Sequence, residues 1–517
     1  MASRRTRGQF FKRAALTAAA ALLILPMAHS AQASSKSTTN TTTTNTTTNT
    51  TTPCRIEGLA NEVQCGFVKR PLDPARPTGV QIEVHYVVVP ALARNKQPDA
   101  VLLLAGGPGQ SAISIAASVL PRLSRLNNRR DLVFVDQRGT GKSAPLECPD
   151  ETRLPLAEAL DAPKQLARLQ ACQAQLTKLP YAASGDLRFF TTTIAMQDMD
   201  AVRAALAVPQ WNLVGASYGT RAALEYLRQF PTKVRRTVLD GVAPPDMVLP
   251  ASFSVDGQAA LDAVFAACDK AADSDADSDC SQRFPTLRAD WQALLKSLPR
   301  EVSLTHPLTG APERFTLSRD TLLRSVRTPL YVPAFAAALP AAIHTAAATG
   351  RFEGLLGLAG ALSSGKRMKL AMGMHFSVVC AEDVPRLGLL KPEASTDFGT
   401  TDADLYRAAC KTWPRGEVPP AFYTVAPATT PVLLLSGGAD PATPPRHGER
   451  VAQALGPKAQ HIVVPQAGHG VMGVSCMRDV LFRFIDAKTD AQALPQDAAC
   501  ATKIPRPPAF VTPQVQP

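Results

Sequence analysis

A serine that could act as a nucleophile lies in the stretch Gly215-Ala216-Ser217-Tyr218-Gly219. The mostly apolar residues 211–214 before it predict a short buried strand, and residues 220–230 after it predict a helix. A Gly-x-Ser-x-Gly turn between a strand and a helix is typical of a nucleophile elbow. The glycines leave room for a tight turn, and the N–H of Tyr218 can point at a developing oxyanion. The stretch therefore predicts attack on a carbonyl group, with an ordinary glycine-rich turn as the alternative.

A serine nucleophile needs a histidine as base and a carboxylate that orients the histidine. Where the nucleophile sits in such an elbow, the acid and then the histidine follow it along the chain, each in a loop after a strand. Asp440 follows the apolar run 431–435, and His469 follows the run 461–465. We predict these two residues as acid and base. His375 is the alternative base among the eight histidines.

A second oxyanion donor is expected from Gly106-Gly107-Pro108-Gly109, which follows the predicted strand 100–105. We predict the N–H of Gly107 as this donor, with Gly106 as the alternative. A nearby Gly-Lys-Ser sequence at 141–143 resembles a phosphate-binding loop, but that motif requires a glycine where Asp136 stands. The sequence therefore predicts no nucleotide site.

The elements that would position these loops alternate between strand and helix, which predicts an α/β fold with a mostly parallel sheet and helices on both faces. The core is expected in two parts, 54–245 and 426–517. Residues 246–425, called the cap below, are rich in Ala and Leu and show no obvious buried strand, so we expect a mostly helical insertion. The predicted strands are 81–90, 100–105, 131–136, 211–214, 236–241, 431–435 and 461–465, and the clearest predicted helices are 193–208, 220–230 and 473–487.

The first 33 residues resemble an export signal, with a basic start, an apolar run and a small-x-small end at Ala31-Gln32-Ala33. Residues 34–53 are nearly all Thr, Asn and Ser, which predicts a disordered linker. We therefore expect an exported protein, periplasmic or secreted, with no stable membrane insertion once the signal is removed. A retained anchor is the alternative, and Arg4-Arg5 leaves both the general and the twin-arginine export routes open.

Ten cysteines follow this signal, and an even number in an exported chain suggests disulfides. They fall into close pairs along the sequence, and we predict nearest-neighbour pairing, which the sequence alone cannot prove. The predicted pairs are 54/65, 148/172, 268/280, 380/410 and 476/500.

The formal net charge is +12, but five of the basic residues lie in the first 33 and the rest are scattered. This pattern gives no reason to expect a nucleic-acid partner. The predicted chemistry needs no metal and no organic cofactor.

Four motifs together resemble the prolyl and tripeptidyl aminopeptidases, serine exopeptidases of the α/β-hydrolase fold. They are the sequences 106–111, 136–143 and 215–220 and the loops that carry Asp440 and His469. The exported tripeptidyl aminopeptidases are the more similar branch in length, in the large cap and in the segment Gly468 to Cys476. In one respect the chain departs from the family, because Ala105 stands where many relatives have His or Asn before the glycines.

The resemblance implies that the substrates are short peptides with a free amino terminus, whose ammonium group needs acidic partners. We predict Glu382 and Asp383 as these partners, with Glu225 as a weaker candidate. Two other functions stay open. An esterase, amide or lactone hydrolase would use the same three residues on a small molecule, whereas a non-catalytic binding protein would not need to keep them.

Overall fold

The computed structural model describes residues 51–183, 185–270, 279–306, 308–363, 369–389 and 396–510. The predicted signal peptide and nearly all of the predicted linker therefore lie outside the described residues. All described residues belong to one compact unit.

The described strands include every predicted one, with bounds that differ by at most two residues at either end. Their bounds are β1 Thr52–Cys54, β2 Val63–Pro71, β3 Gln81–Val89, β4 Ala100–Leu104, β5 Leu132–Val135, β6 Trp211–Ala216, β7 Val234–Asp240, β8 Arg300–Thr305, β9 Pro312–Leu317, β10 Val432–Gly437 and β11 Ala459–Val464.

Nine of these strands form one sheet in the order β1-β2-β3-β5-β4-β6-β7-β10-β11. The pairs β1/β2, β2/β3 and β3/β5 are antiparallel, and every pair from β5 to β11 is parallel. The carboxyl ends of β4, β6, β7, β10 and β11 therefore meet at one edge of the sheet, where ligands bind in folds of this kind. The predicted α/β-hydrolase fold is confirmed.

The described helices cover both faces of the sheet and fill the cap. Their bounds are α1 Ala112–Asn127, α2 Leu156–Ala159, α3 Ala162–Leu176, α4 Thr192–Ala205, α5 Tyr218–Gln229, α6 Leu249–Lys270, α7 Asp279–Arg283, α8 Leu287–Lys296, α9 Arg319–Leu330, α10 Pro333–Ala336, α11 Leu339–Thr349, α12 Glu353–Ser363, α13 Met372–Glu382, α14 Thr401–Ala409, α15 Pro445–Leu455, α16 Met477–Asp486 and α17 Asp490–Ala493.

Alternate residues of the central strands enter different hydrophobic clusters, since successive side chains of a strand point to opposite faces. Leu102 of β4 packs in the cluster that contains the buried face of α4. Leu103 packs in the other cluster, with buried residues of α1 and α16. Both faces are thus covered, which explains why strands such as β4 and β5 are apolar throughout rather than alternating.

The cap contains α6–α14 and a third hydrophobic cluster of its own, in which Phe265, Trp291 and Leu322 are buried. It also contains the antiparallel hairpin β8–β9, which the sequence analysis did not predict. Val302 and Leu304 face the cluster while their neighbours in β8 are exposed, so the strand alternates in polarity within a stretch whose composition is otherwise helical.

All five predicted disulfides are present, with Cα–Cα distances of 5.2–6.5 Å. Cys380–Cys410 joins the end of α13 to the end of α14, and Cys476–Cys500 fastens the segment after α17 to the start of α16. In the ranges that the structure describes, no helix has both the length and the apolar character needed to span a membrane.

A buried ion-pair cluster joins the first antiparallel strands to α4. Asp198 of α4 accepts hydrogen bonds from Nε and Nη2 of Arg138, at 2.7 and 2.9 Å, and from Nε of Arg70 at 3.1 Å. The Arg138 Nη1 donates to the carbonyl oxygens of Leu72 and Phe189. Arg138 thereby fixes the loop after β5 against β2 and α4.

We expect Asp198→Asn to lower the free energy of unfolding by about 3–5 kcal/mol, because it leaves the Arg138 guanidinium buried without its anion. Urea unfolding followed by circular dichroism measures the change. Asp73→Asn is the matched control, because Asp73 pairs with Arg76 at the surface and its loss should leave stability unchanged. Equal stability of the two variants would contradict the prediction.

Candidate active site

Ser217 lies between β6 and α5 with φ of 56° and ψ of −124°, a strained region for any residue with a side chain. A Cβ on Gly215 would lie 2.4 Å from the carbonyl oxygen of Gly219, and a Cβ on Gly219 would lie 2.0 Å from that of Leu104. Neither position has room for a side chain, so both glycines are required by the close approach of backbone segments. The turn has the geometry of a nucleophile elbow.

Asp440 and His469 form a hydrogen-bonded pair at the same edge of the sheet. The Nδ1 of His469 lies 2.8 Å from Oδ2 of Asp440. The other carboxylate oxygen, Oδ1, accepts the N–H groups of Ala442 and Thr443 at 2.8 and 2.9 Å. Since Nδ1–H donates to the carboxylate, Nε2 is the ring nitrogen left to accept a proton.

Thr443 completes this pair, and the sequence analysis did not identify it. Its hydroxyl donates to Oδ2 of Asp440 at 2.8 Å and lies 3.2 Å from Nδ1 of His469. The Asp440 carboxylate is thus held by three donors from the turn that follows it, in addition to the imidazole. The signal in the sequence was the position of Thr443, three residues after the acid in a Pro-rich turn.

The charges of Asp440 and His469 oppose the effect of burial on the pKa of both residues. Burial disfavours the charged imidazolium, but the Asp440 carboxylate outweighs it and raises the pKa of His469 above its ordinary value. Burial also favours a neutral Asp440, but His469 and the backbone N–H groups outweigh it and lower the pKa of that carboxyl. Asp440 is therefore ionised when His469 takes up a proton.

The cap also contacts His469, through Tyr331, which follows α9. The N–H of His469 donates to the carbonyl oxygen of Tyr331 at 2.9 Å, and the two rings pack edge to face with centroids 5.1 Å apart. A Cβ on Gly468 would lie 2.4 Å from the same carbonyl oxygen. The cap is therefore part of the scaffold of the histidine loop.

The end of β7 and the glycine after it contact both Ser217 and the ring of His469. The N–H of Ser217 donates to the carbonyl oxygen of Asp240 at 2.9 Å. A Cβ on the next residue, Gly241, would lie 3.3 Å from Cε1 of His469. The three predicted residues thus lie around one backbone segment, although they are far apart in sequence.

The predicted oxyanion loop passes directly over the elbow. A Cβ on Gly106 would lie 3.2 Å from Cβ of Ser217, and Gly107 has φ of 111°, which favours glycine. The cap fastens this loop, since Ala371 N–H donates to the carbonyl oxygen of Gly109 at 2.9 Å. Tyr218, whose N–H is the other predicted donor, begins α5 directly after Ser217.

His375, the alternative base, lies beside this loop. Its Nδ1 is 3.1 Å from the carbonyl oxygen of Pro108, and its Nε2 is 2.7 Å from the hydroxyl of Tyr406. Burial lowers its pKa, so the ring is neutral near pH 7. A neutral ring that donates Nδ1–H to a carbonyl must accept at Nε2, so Nδ1 holds the cap to the oxyanion loop while Nε2 bonds Tyr406 within the cap.

The predicted ammonium partners Glu382 and Asp383 lie in the interior. Asp383 is bound by both terminal nitrogens of Arg221, at 2.9 and 3.1 Å, and by the N–H of Leu249 at 3.0 Å. The oxygens of Glu382 accept from N and Oγ1 of Thr192 at 2.8 and 3.0 Å. Burial raises the pKa of Glu382 to about 7 against the opposing charge of Arg221.

A chain of hydrogen bonds joins Glu382 to Tyr218. The Tyr218 hydroxyl lies 2.6 Å from Oγ1 of Thr192, and Nε2 of Gln137 donates to that hydroxyl at 3.0 Å. Glu382 is therefore two hydrogen bonds away from the residue whose N–H is the first predicted oxyanion donor. Glu225, the weaker candidate, is buried on α5 and paired with Arg228.

No cluster of three or more His, Cys, Asp or Glu residues suited to a metal ion occurs in the described part of the chain. His469 and Asp440 are hydrogen-bonded at the sheet edge that carries Ser217, and acyl transfer by serine hydrolases uses a set of this kind.

Two segments of the chain match known protein families. Residues 99–269 match the alpha/beta hydrolase fold family, and residues 395–500 match the TAP-like protein family. A tripeptidyl aminopeptidase of Streptomyces coelicolor is 33% identical over 196 residues, which is 36% of either chain. The match thus spans little more than a third of that relative.

Two longer matches cover most of the chain. The serine protease Hip1 of Mycobacterium tuberculosis is 26% identical over 485 residues, 87% of this chain and 90% of the relative. Carboxylesterase B of Mycobacterium tuberculosis is 28% identical over 439 residues, 76% of this chain and 78% of the relative.

We expect the reaction of Ser217 with a fluorophosphonate to slow as the pH falls through the raised pKa of His469, because a protonated imidazole cannot accept the serine proton. Asp440→Asn should slow labelling at neutral pH by about 10⁴-fold and move the acid limb to lower pH. Labelling rates measured by mass spectrometry across pH check both effects.

Asp290→Asn is the matched control, because Asp290 also accepts from Nδ1 of a histidine, His344, at 2.8 Å, but within the cap. It should leave the rate and its pH dependence unchanged. Labelling of a Ser217→Ala variant at the wild-type rate would rule out Ser217 as the nucleophile.

Proposed function

We propose that the chain is an exported serine aminopeptidase of the tripeptidyl and prolyl aminopeptidase family that acts on short peptides, and its matches to the TAP-like and alpha/beta hydrolase families and to a tripeptidyl aminopeptidase support this. At the coarser level it is a serine hydrolase of the α/β-hydrolase fold. The observation that carries the proposal is the 2.8 Å bond of His469 to Asp440 at the sheet edge where Ser217 is held in its strained elbow.

In the proposed reaction, Ser217 Oγ attacks the peptide carbonyl while Nε2 of His469 takes its proton. The N–H groups of Tyr218 and Gly107 stabilise the oxyanion of the tetrahedral intermediate. His469 then protonates the leaving amine as the C–N bond breaks, which leaves an acyl-enzyme. Water attacks this ester with His469 as base, and the product leaves with a new carboxyl group while Ser217 regains its proton.

Recognition of a free amino terminus requires a negative group that is not already neutralised. Asp383 is bound by Arg221 on both oxygens, whereas the Glu382 carboxylate lies 3.5 Å from the same guanidinium and, among the described residues, otherwise accepts only from Thr192. Glu382 is therefore the stronger candidate of the predicted pair. A substrate ammonium near it would favour its ionised form.

Export is the second part of the proposal. The predicted signal at residues 1–33 would deliver the chain to an oxidising compartment, where disulfides persist. The five disulfides and the absence of a membrane-spanning helix in the described residues are compatible with this.

An esterase acting on small molecules is the second candidate, and the match to a carboxylesterase over 76% of the chain favours it. It would use the same Ser217, His469 and Asp440. Its substrates would need no ammonium group, so the two candidates differ in their dependence on a free amino terminus.

We expect a tripeptidyl p-nitroanilide with a free amino terminus to be cleaved with a kcat/KM about 10- to 100-fold above that of its N-acetylated twin, because acetylation removes a charge-assisted interaction. Release of p-nitroaniline measures both rates, and Ser217→Ala should abolish them. Equal cleavage of the two forms, or hydrolysis of simple esters alone, would contradict the aminopeptidase and favour the esterase.

Glu382→Gln should lower kcat/KM for the free-amino substrate by about 10-fold and leave the acetylated one unchanged, since only the former has a charge to lose. Glu225→Gln is the matched control, as another buried acid at 1% exposure that should not distinguish the two substrates. If Glu382→Gln affects both substrates equally, its role is structural rather than selective.

A further inference from the structure

Asp240 is a buried acid that the proposed mechanism does not use. It is the last residue of β7, between the elbow and the histidine loop, and only 1% of its surface is exposed. The sequence shows it merely as the end of an apolar strand before a glycine.

Both the backbone carbonyl and the side-chain carboxylate of Asp240 bind the loops that carry Ser217 and His469. Its carbonyl oxygen accepts the N–H of Ser217 at 2.9 Å. Its carboxylate accepts the N–H of Val471 at 2.7 Å on Oδ1 and that of Met472 at 3.0 Å on Oδ2. Val471 and Met472 come two and three residues after His469, so a single residue connects the nucleophile to the base.

The environment of this carboxylate is unusual for a buried acid. In the described part of the chain, no Lys or Arg forms an ion pair with it, and burial raises its pKa despite the two N–H donors. An unpaired buried carboxylate costs several kcal/mol in free energy. A neutral Asn of the same shape has only one acceptor, so it would leave one of the two backbone N–H groups facing an NH₂ group.

We propose that Asp240 is a positioning residue for the acyl transfer, which sets the spacing between Ser217 and His469 and adds a second negative charge beside the imidazolium. The inference rests on the proposed Ser217–His469–Asp440 mechanism. The first effect is geometric, because the carboxylate fixes the backbone just after His469. The second is electrostatic, because the Asp240 carboxylate binds the backbone just after His469 and its charge favours the imidazolium in addition to that of Asp440.

The charged and titratable groups that face His469 come from three elements. They are Asp440 after β10, Asp240 at the end of β7 and the Tyr331 ring after α9. Asp240 in turn is influenced by His469 and Asp440. The charges of Asp440 and Asp240 both raise the pKa of His469, so removing that of Asp240 lowers it, and activity should persist to lower pH.

The test compares Asp240→Asn with Asp99→Asn. Asp99 is also a buried acid, bound to Arg130 at 3.0 Å and to Asn212 at 2.6 Å, but it precedes β4 and lies at the opposite edge of the sheet. For Asp240→Asn we expect kcat to fall about 10- to 100-fold with KM nearly unchanged, because the reacting groups are misplaced rather than the substrate. The acid limb of kcat/KM and of fluorophosphonate labelling should move to lower pH.

Asp99→Asn should lower stability without moving the acid limb of the pH profile of kcat/KM. A folded Asp240→Asn variant with wild-type kcat and an unmoved limb would overturn the proposal, as would an equal loss of kcat in Asp99→Asn. If the Asn variant does not fold, Asp240→Ser serves instead. Its smaller side chain removes the charge without placing an NH₂ group against a backbone N–H.

The Ser217→Ala variant separates this inference from the proposed function. If Ser217→Ala keeps its activity, the mechanism itself is wrong. If Ser217→Ala is inactive and Asp240→Asn behaves as the wild type, only the role of Asp240 is wrong.

Discussion

The contact between the first turn of α5 and the end of β4 constrains the rest of the site. A Cβ at Gly219 would lie 2.0 Å from the carbonyl oxygen of Leu104, so helix and strand approach as closely as two backbones can. This contact forces Ser217 into positive φ and brings the glycine loop after β4 alongside it. Ser217 and the glycine loop after β4, which we propose as nucleophile and oxyanion loop, are therefore positioned by backbone packing rather than by side-chain contacts.

The positions of Asp440 and His469 depend instead on polar groups that are buried at the carboxyl ends of β7, β10 and β11. Asp440 is held by Thr443 and two N–H groups, and Asp240 holds the backbone beyond His469. Each carboxylate restricts a loop that would otherwise move, because a buried anion must keep its donors. The precision of the site thus comes from satisfied buried charges on a rigid sheet.

Much of this architecture could be predicted from the sequence because its signals are local. Buried strands are continuous apolar runs, and the elbow is a five-residue motif between a strand and a helix. The cysteine pairs were predictable because each lies within 30 residues along the chain. The Asp440–His469 pair followed from chain order and strand ends.

The remaining features depend on contacts between distant segments. The packing of Tyr331 on His469, the bond of His375 to Pro108 and the ion pair of Asp383 with Arg221 join the cap to the core across 100 residues or more. No local sequence pattern predicts such contacts. The hairpin β8–β9 was missed for another reason, since two short alternating strands contribute little to the composition of a helical region.

The fastening of the cap limits how the enzyme can move. Leu370 pairs with Gln110 in a short β-bridge, Ala371 bonds to Gly109, and Tyr331 accepts the N–H of His469. Lifting the cap as a rigid lid would break the bonds that shape both catalytic loops. A cap held in this way cannot swing away without disturbing the loops beside Ser217. An enzyme with such a cap would select molecules by their width and shape, as a sieve does, rather than by the closing of a lid.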